Sequence, residues 1–452
     1  MSINRRRLLA VSALTGALPA ATLAGPAGAA PLATFGVDAT QLGVRAGGGA
    51  DQSNMLQAAL DKAAGARMPL MLGPGDYHVR GLTLPSSAQI VGVRGATRLI
   101  FAGGAALLSA RGAANVTLAG LVLDGAGKPL PENAGLLHFA QCDDLRIVDC
   151  EITGSGRGGI RLEEVRGTIS GTTIAKSADV AIYSLDARGL SIQNNHVRGA
   201  GNGGILVHRS MKGDDGTLVL DNRIEDIANV SGGSGQFGNA INVFRAANVI
   251  VRGNRISRAA FSAVRGNAAS NIQITGNTAT DIGETAIYTE FGFEGAVIAN
   301  NTVDGAALGV SVVNFNEGGR LAVVQGNLIR NLKAKRPAGT DPGDAAGVGI
   351  AVEADASVTG NVIENAPGAG IAVGWGAYMR DVSVVGNVVR GARYGVTVSV
   401  VSGAGTAVIT GNLISGSTKG AIVGMEFAKA VTDLSQEPTR FANLQVSGNR
   451  VR

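Results

Sequence analysis

The sequence predicts an all-β fold, a right-handed single-stranded parallel β-helix of about 13–14 coils closed by an N-terminal capping helix. Three observations carry it: a repeat, a composition and one amphipathic segment. From about residue 115 the chain restates a strand, a Gly-Asn step, a turn and a Gly-Ile-x-Val strand; copies include Ile272–Asn277, Val382–Asn387, Ala407–Asn412 and Leu444–Asn449. The repeating Asn stand at 195, 222, 254, 277, 301, 327, 361, 387, 412 and 449, mostly 23 to 27 residues apart. Self-similarity at such a period marks a solenoid whose units bury their apolar faces only by stacking.

Composition agrees. Among 452 residues, 68 are Gly and only 4% are aromatic, while hydrophobic residues reach 45%. Such a chain builds its core from Val, Ile, Leu and Ala on short strands joined by tight turns. An Asn at the same turn of each coil can bond to the Asn above and below. Leu121, Cys150 and Thr172 occupy that place in earlier coils, so Cys150 reads as a ladder position. Cys142 and Cys150 flank an extended segment that holds them apart. The segment 51–64 is amphipathic, with Met55, Leu56, Ala59 and Leu60 on one face, and is expected to cap the open end of the stack.

The first 29 residues have another purpose. Arg5-Arg6-Arg7-Leu8-Leu9, an uncharged apolar stretch to Ala24 and Ala27-Gly28-Ala29 follow the order of a secretory signal. Arg5 and Arg6 resemble the twin-arginine (Tat) motif, which makes the Tat export machinery a partner and the periplasm or the exterior the destination. The expected organisation is 1–29 signal, 30–112 cap helix and first coils, and 113–452 repeats. No later stretch is long enough to span a membrane. The net charge of +5 includes Arg5, Arg6 and Arg7, and without them 36 basic residues face 34 acidic ones. No basic stripe interleaved with aromatics is present, which argues against a nucleic-acid partner. The basic run Lys333, Lys335 and Arg336 reads as a solvated loop.

The Gln57-Ala58-Ala59-Leu60 helix and the Pro74-Gly75-Asp76-Tyr77 turn occur in the order seen at the start of pectate-lyase-like β-helix proteins, which this region resembles. With Arg5-Arg6, the Gly-Asn repeats and the segments 286–297 and 314–320, the whole chain resembles a bacterial family of Tat-translocated repeat proteins of unknown function. That resemblance implies fold and export route, and no catalytic residues.

Chemistry is sought where the repeats align. An inward column from Ile160 to Ile422 leaves two outward columns, one and three residues later. The first contains Arg161, Tyr183, Asn242, Arg265, Tyr288 and Ser311, and the second Glu163, His208, Phe244, Asn267, Glu290 and Glu353. Two insertions, 229–238 and 333–346, precede the same strand and bracket the Arg265, Tyr288 and Ser311 coils. They are expected to wall a groove roughly 19 Å wide, at ~4.8 Å per coil. The expected ligand is a polysaccharide or oligosaccharide. On a uronate polymer, Arg265 would neutralise the carboxylate while Tyr288 or His208 moved the C5 proton, as in a lyase or epimerase. Glu290 and Glu353, two coils or ~9.6 Å apart, would suit an inverting glycoside hydrolase. Asn242, Arg245, Asn267, Phe291, Asn314 and Trp375 are the expected substrate contacts. They serve equally in a non-catalytic carbohydrate-binding or cell-surface structural protein. No cofactor is expected; the four His are scattered without metal-ligand spacing, and Asp186 and Asp355 stand alone.

Overall fold

A computed structural model describes residues 35–47, 49–233, 235–314, 318–340 and 343–452. The signal expected over residues 1–29, with Arg5 and Arg6, lies outside the described residues. Gly36–Arg452 forms one compact unit.

This unit is a right-handed parallel β-solenoid of about 14 turns. One sheet has 16 strands; a second, of 28, carries both the short strand after each ladder Asn and the longer strand that follows it. Each strand pairs in parallel with its counterpart one coil on, as Ile272–Thr275 does with Glu294–Ala299. The one antiparallel pair among the described strands is Gly420–Glu426 with Lys429–Asp433. No helix of the described residues is long and apolar enough to cross a membrane.

The Asn ladder is unbroken from Asn195 to Asn449. Each side-chain amide donates to Oδ1 of the next Asn at 2.9–3.0 Å. The same oxygen accepts the backbone N–H of the preceding ladder Asn, so one side chain satisfies two buried donors. The residue before the ladder position holds a left-handed backbone, which explains its restricted identity. It is Gly at 253 and 276 (φ 69° and 65°), and Asn194, Asp221 and Asn300 fill it elsewhere. Those are the L-residues that tolerate this conformation best.

The two cysteines follow the same logic. Cys150 is buried at the ladder position, and its backbone N–H donates to Thr172 Oγ1 at 3.3 Å. Both thiols are free and buried. Burial pushes the Cys150 thiol up to about 11.

The helix at the N-terminal end runs Ser53–Gly65 and buries Leu56, Ala59, Leu60, Ala63 and Ala64. Met55 departs from expectation and is exposed. The buried stripe runs one turn further along the helix, toward Ala63 and Ala64.

Candidate functional site

The coil register puts the site residues in two rows. Ile160, Ile182, Ile205, Ile241, Val264, Ile287, Val310, Ile350, Ile371, Val396 and Ile422 all face inward, none more than 1% exposed. One residue later, Arg161 pairs with Tyr183, Tyr183 with Leu206, Leu206 with Asn242, Asn242 with Arg265, Arg265 with Tyr288 and Tyr288 with Ser311. Two residues beyond, Glu163, Leu185, His208, Phe244, Asn267, Glu290 and Val313 form the second row in the same register.

Arg265, Tyr288, Glu290 and Asn267 come together as neighbours. Arg265 Nε donates to Glu290 Oε1 at 2.6 Å, Asn267 Nδ2 donates to the same oxygen at 3.0 Å, and the guanidinium lies 5.1 Å from the Tyr288 ring centre. Burial is the main reason that the Tyr288 hydroxyl is held far above its ordinary range, with the Glu290 charge adding to it. The surroundings are tighter than the expected groove. The Arg265 and Glu290 side chains are only 12% and 5% exposed. Gly235 of the first insertion leans on the Arg265 guanidinium so closely that a Cβ there would collide with it.

The second insertion corrects the reading of its basic run. Lys333 is an exposed surface pair with Asp281 at 2.7 Å, but Arg336 is not solvated. It donates to Glu284 Oε1 at 2.7 Å with both side chains almost fully covered. Burial raises the Glu284 carboxyl, against the opposing pull of Arg336 and Arg265. The insertion thus bends inward, where the sequence shows only polarity beside a proline.

The other expected residues are dispersed. His208 lies in the second row, three coils before Glu290, between the rings of Tyr183 (5.2 Å) and Phe244 (5.5 Å). Desolvation of its enclosed Nε2 lowers its pKa to about 4. Glu353 Oε2 accepts the Asn314 backbone N–H at 2.8 Å. Two expected substrate contacts prove buried. Asn314 bonds Ala354 through both ends of its amide, and Asn242 lies covered with Oδ1 enclosed and unpartnered. Arg245 and Phe291 are exposed. Trp375 is 44% exposed and packs edge-on against Phe427 at 5.7 Å.

An accessible constellation missed by the sequence reading stands four coils before Arg265 and Tyr288. Arg161 Nε donates to Glu163 Oε1 at 2.7 Å, and its guanidinium lies 4.8 Å from the Tyr183 ring centre. His138 Nε2 sits 3.6 Å from Glu163 Oε1. The rings continue from Tyr183 through His208 to Phe244, on which the Arg245 guanidinium rests at 4.8 Å. This gives an unbroken ladder of cation, ring, ring, ring and cation, mostly half-buried. Alongside it opens a cleft of about 760 Å³. Asp186, far from standing alone, lines this cleft and accepts both the backbone N–H and the hydroxyl of Ser210. The column alignment contained the signal, since Arg161, Tyr183 and Glu163 repeat the residue types of Arg265, Tyr288 and Glu290.

The family profile described as right handed beta helix region matches residues 109–237 and 210–389, more than half of the chain. The chain belongs to the right-handed β-helix family. Among solved structures, this β-helix protein is similar to the A-module of the Azotobacter vinelandii mannuronan C-5 epimerase AlgE4, at 16% identity and a TM-score of 0.52. That match covers 64% of this chain and 94% of the module. It is also similar to the N-terminal fragment of gene product 12 of bacteriophage Phi29, at 18% identity and a TM-score of 0.58, covering 88% of this chain and 73% of the fragment. At such identities the likeness is one of fold. No curated protein matches the sequence.

Proposed function

We propose that this β-helix protein binds a polysaccharide along the outward face from His138 to Arg245, after export by the twin-arginine route and removal of residues 1–29. The ring-and-cation ladder from Arg161 to Arg245 supports this reading, because sugar faces stack on aromatic rings while hydroxyls bond to paired Arg and Glu. The role is holding rather than cleaving. Glu290 is committed to Arg265 and Asn267, and Glu353 to Asn314, so neither stands ready as the acid or base of a glycoside hydrolase.

The test is incubation of residues 30–452 with mannuronan, polygalacturonate and neutral polysaccharides, scoring retention, reducing ends and unsaturated ends. Mannuronan belongs in the panel because a structural match is named for it. Retention without product, weakened about tenfold by Tyr183→Ala, is the expected result. No retention on any polymer would sink the reading.

A second reading, a lyase or C5-epimerase on a uronate polymer, is favoured by one observation at Arg265. Its Nη1 is enclosed without a partner, and the guanidinium lies 5.1 Å from the ring centre of Tyr288, whose hydroxyl is held in its protonated form. Unsaturated ends, or solvent deuterium entering C5, both abolished by Tyr288→Phe, would establish it. Neither product appearing would leave binding alone.

A further inference from the structure

The exposed aromatic rings of the described residues are not scattered. Apart from Phe35 they are Phe291, Trp375, Tyr378 and Phe427, in a chain of which only 4% is aromatic. Phe291 and Trp375 each stand four residues past the inward residue of their strand, Ile287 and Ile371, as Arg245 stands past Ile241. All three therefore leave the solenoid at the same turn of the coil. Register sets their spacing along the axis: Ile241 pairs onward to Val264 and Ile287, and Ile287 to Val310, Ile350 and Ile371. At ~4.8 Å per coil, Phe291 lies roughly 10 Å and Trp375 roughly 24 Å beyond Arg245.

The Trp375 position is held by a second element. The antiparallel pair Gly420–Glu426 and Lys429–Asp433 carries Phe427 at its tip, and that ring meets Trp375 edge-on at 5.7 Å and 72°. A Cβ on Gly376 (φ 57°) would lie 2.9 Å from the Phe427 ring, so glycine is what lets the ring approach the turn this closely. The Gly376 carbonyl accepts Ser399 Oγ at 2.8 Å, which ties the turn to the strand Val388–Ser399 of the next coil. The two rings thus form a fixed open corner, Trp375 44% and Phe427 55% exposed. Glu426 and Lys429, register partners across the hairpin, are exposed beside it.

Size decides what fits. Trp375, Phe427 and Tyr378, each about half exposed, present roughly 300 Å² of ring surface. A stable protein partner covers ~800 Å² on each side. A sugar needs far less: its apolar face stacks on a ring while its hydroxyls reach flanking charges. The same pairing of ring with cation recurs along the turn, at Phe244 with Arg245 and at Phe291, whose neighbour Gly292 accepts the Lys212 ammonium on its carbonyl.

We infer that the Trp375–Phe427 corner is a second sugar subsite with Phe291 on the path to it, and that the ligand is a long linear polysaccharide lying along the solenoid axis. This rests on the polysaccharide-binding reading above. Once the ladder is occupied, the rest of the same polymer meets the corner at a high effective concentration. A fragment too short to cover ~24 Å gains nothing from it.

Trp375 is the only Trp of the chain, so its fluorescence reports this corner alone. The test titrates residues 30–452 with mannuronan, polygalacturonate and xylan, each as polymer and as disaccharide, reading Trp emission and its quenching by acrylamide. A polymer retained through Tyr183 should shift the emission and shield it from acrylamide, and its disaccharide should bind far more weakly. Trp375→Ala and Phe427→Leu should each weaken polymer binding about tenfold; the native fluorescence reads the corner even where a variant perturbs folding. A polymer retained through Tyr183 that leaves Trp375 unshifted and unshielded would overturn this inference while leaving the polysaccharide reading intact, as would polymer and disaccharide of equal affinity. Shielding that grows with protein concentration in the absence of sugar would assign the corner to a second copy of the chain and overturn the subsite. Retention of no polymer, with no change in emission, would overturn both readings together.

Discussion

Arg336 Nη1 donates to Glu284 Oε1 at 2.7 Å across 52 positions of sequence, and this buried pair fastens the second insertion to the turn before the strand Thr285–Glu290. Removing one partner leaves the other charge desolvated, which is costlier than removing both. Glu284→Ala should therefore destabilise the protein by about 3 kcal/mol, with the double variant Glu284→Ala, Arg336→Met recovering much of the loss. Urea melts of the native chain and the two variants decide it; equal midpoints for the single and double variants would show that the pair is not coupled.

The Asn ladder makes a sharper demand. In Asn277→Ala, the side-chain amide and backbone N–H of Asn254 lose their shared acceptor inside the core. Each buried unsatisfied donor costs roughly 1–3 kcal/mol, so this one substitution should destabilise by several kcal/mol. Asn449→Ala, at the partly buried last rung, should cost much less. Denaturant midpoints of the two variants give the comparison.

His208 sets a pH dependence. Its folded pKa of about 4 lies below the ordinary ~6.5, so between those values the unfolded chain binds the proton and the folded one does not. Stability is complete above ~6.5 and falls as the pH drops toward 4, by about 1.4 kcal/mol for each unit of depression. His208→Gln should flatten that slope. NMR titration of the His208 ring, finding a midpoint near 6.5, would contradict the account.

The proposed twin-arginine export rests on Arg5 and Arg6. Lys at both positions keeps the charge but removes the paired guanidiniums that define the motif. The double variant should accumulate unprocessed inside the cell, whereas the native chain is recovered without residues 1–29 from the periplasm or the medium. Immunoblots of cell fractions provide the check, and normal processing of the variant would assign export to another route.

The outward columns were legible because the repeat fixes which residue stands above which. Arg265 and Tyr288 fall on adjacent coils as their positions in the repeat require. What those columns face was not legible. Asn242 and Arg265 read as solvent-facing from strand alternation, yet Asn242 is buried and Gly235 covers the Arg265 guanidinium. Alternation gives the direction of a side chain relative to its own strand and carries no information about a loop folded back over it.

The sequence by itself determined the solenoid, its register, its ladder of Asn and its inward column, because each depends on contacts between equivalent positions one period apart. Only the tertiary structure decided that Arg336 is buried against Glu284, that His208 lies between Tyr183 and Phe244, and that the open cleft lies beside Asp215 rather than over Arg265. Those outcomes depend on insertions and a slip of register after His208 that do not follow the period of the repeat, and a non-repeating contact leaves no period in the sequence from which to read it.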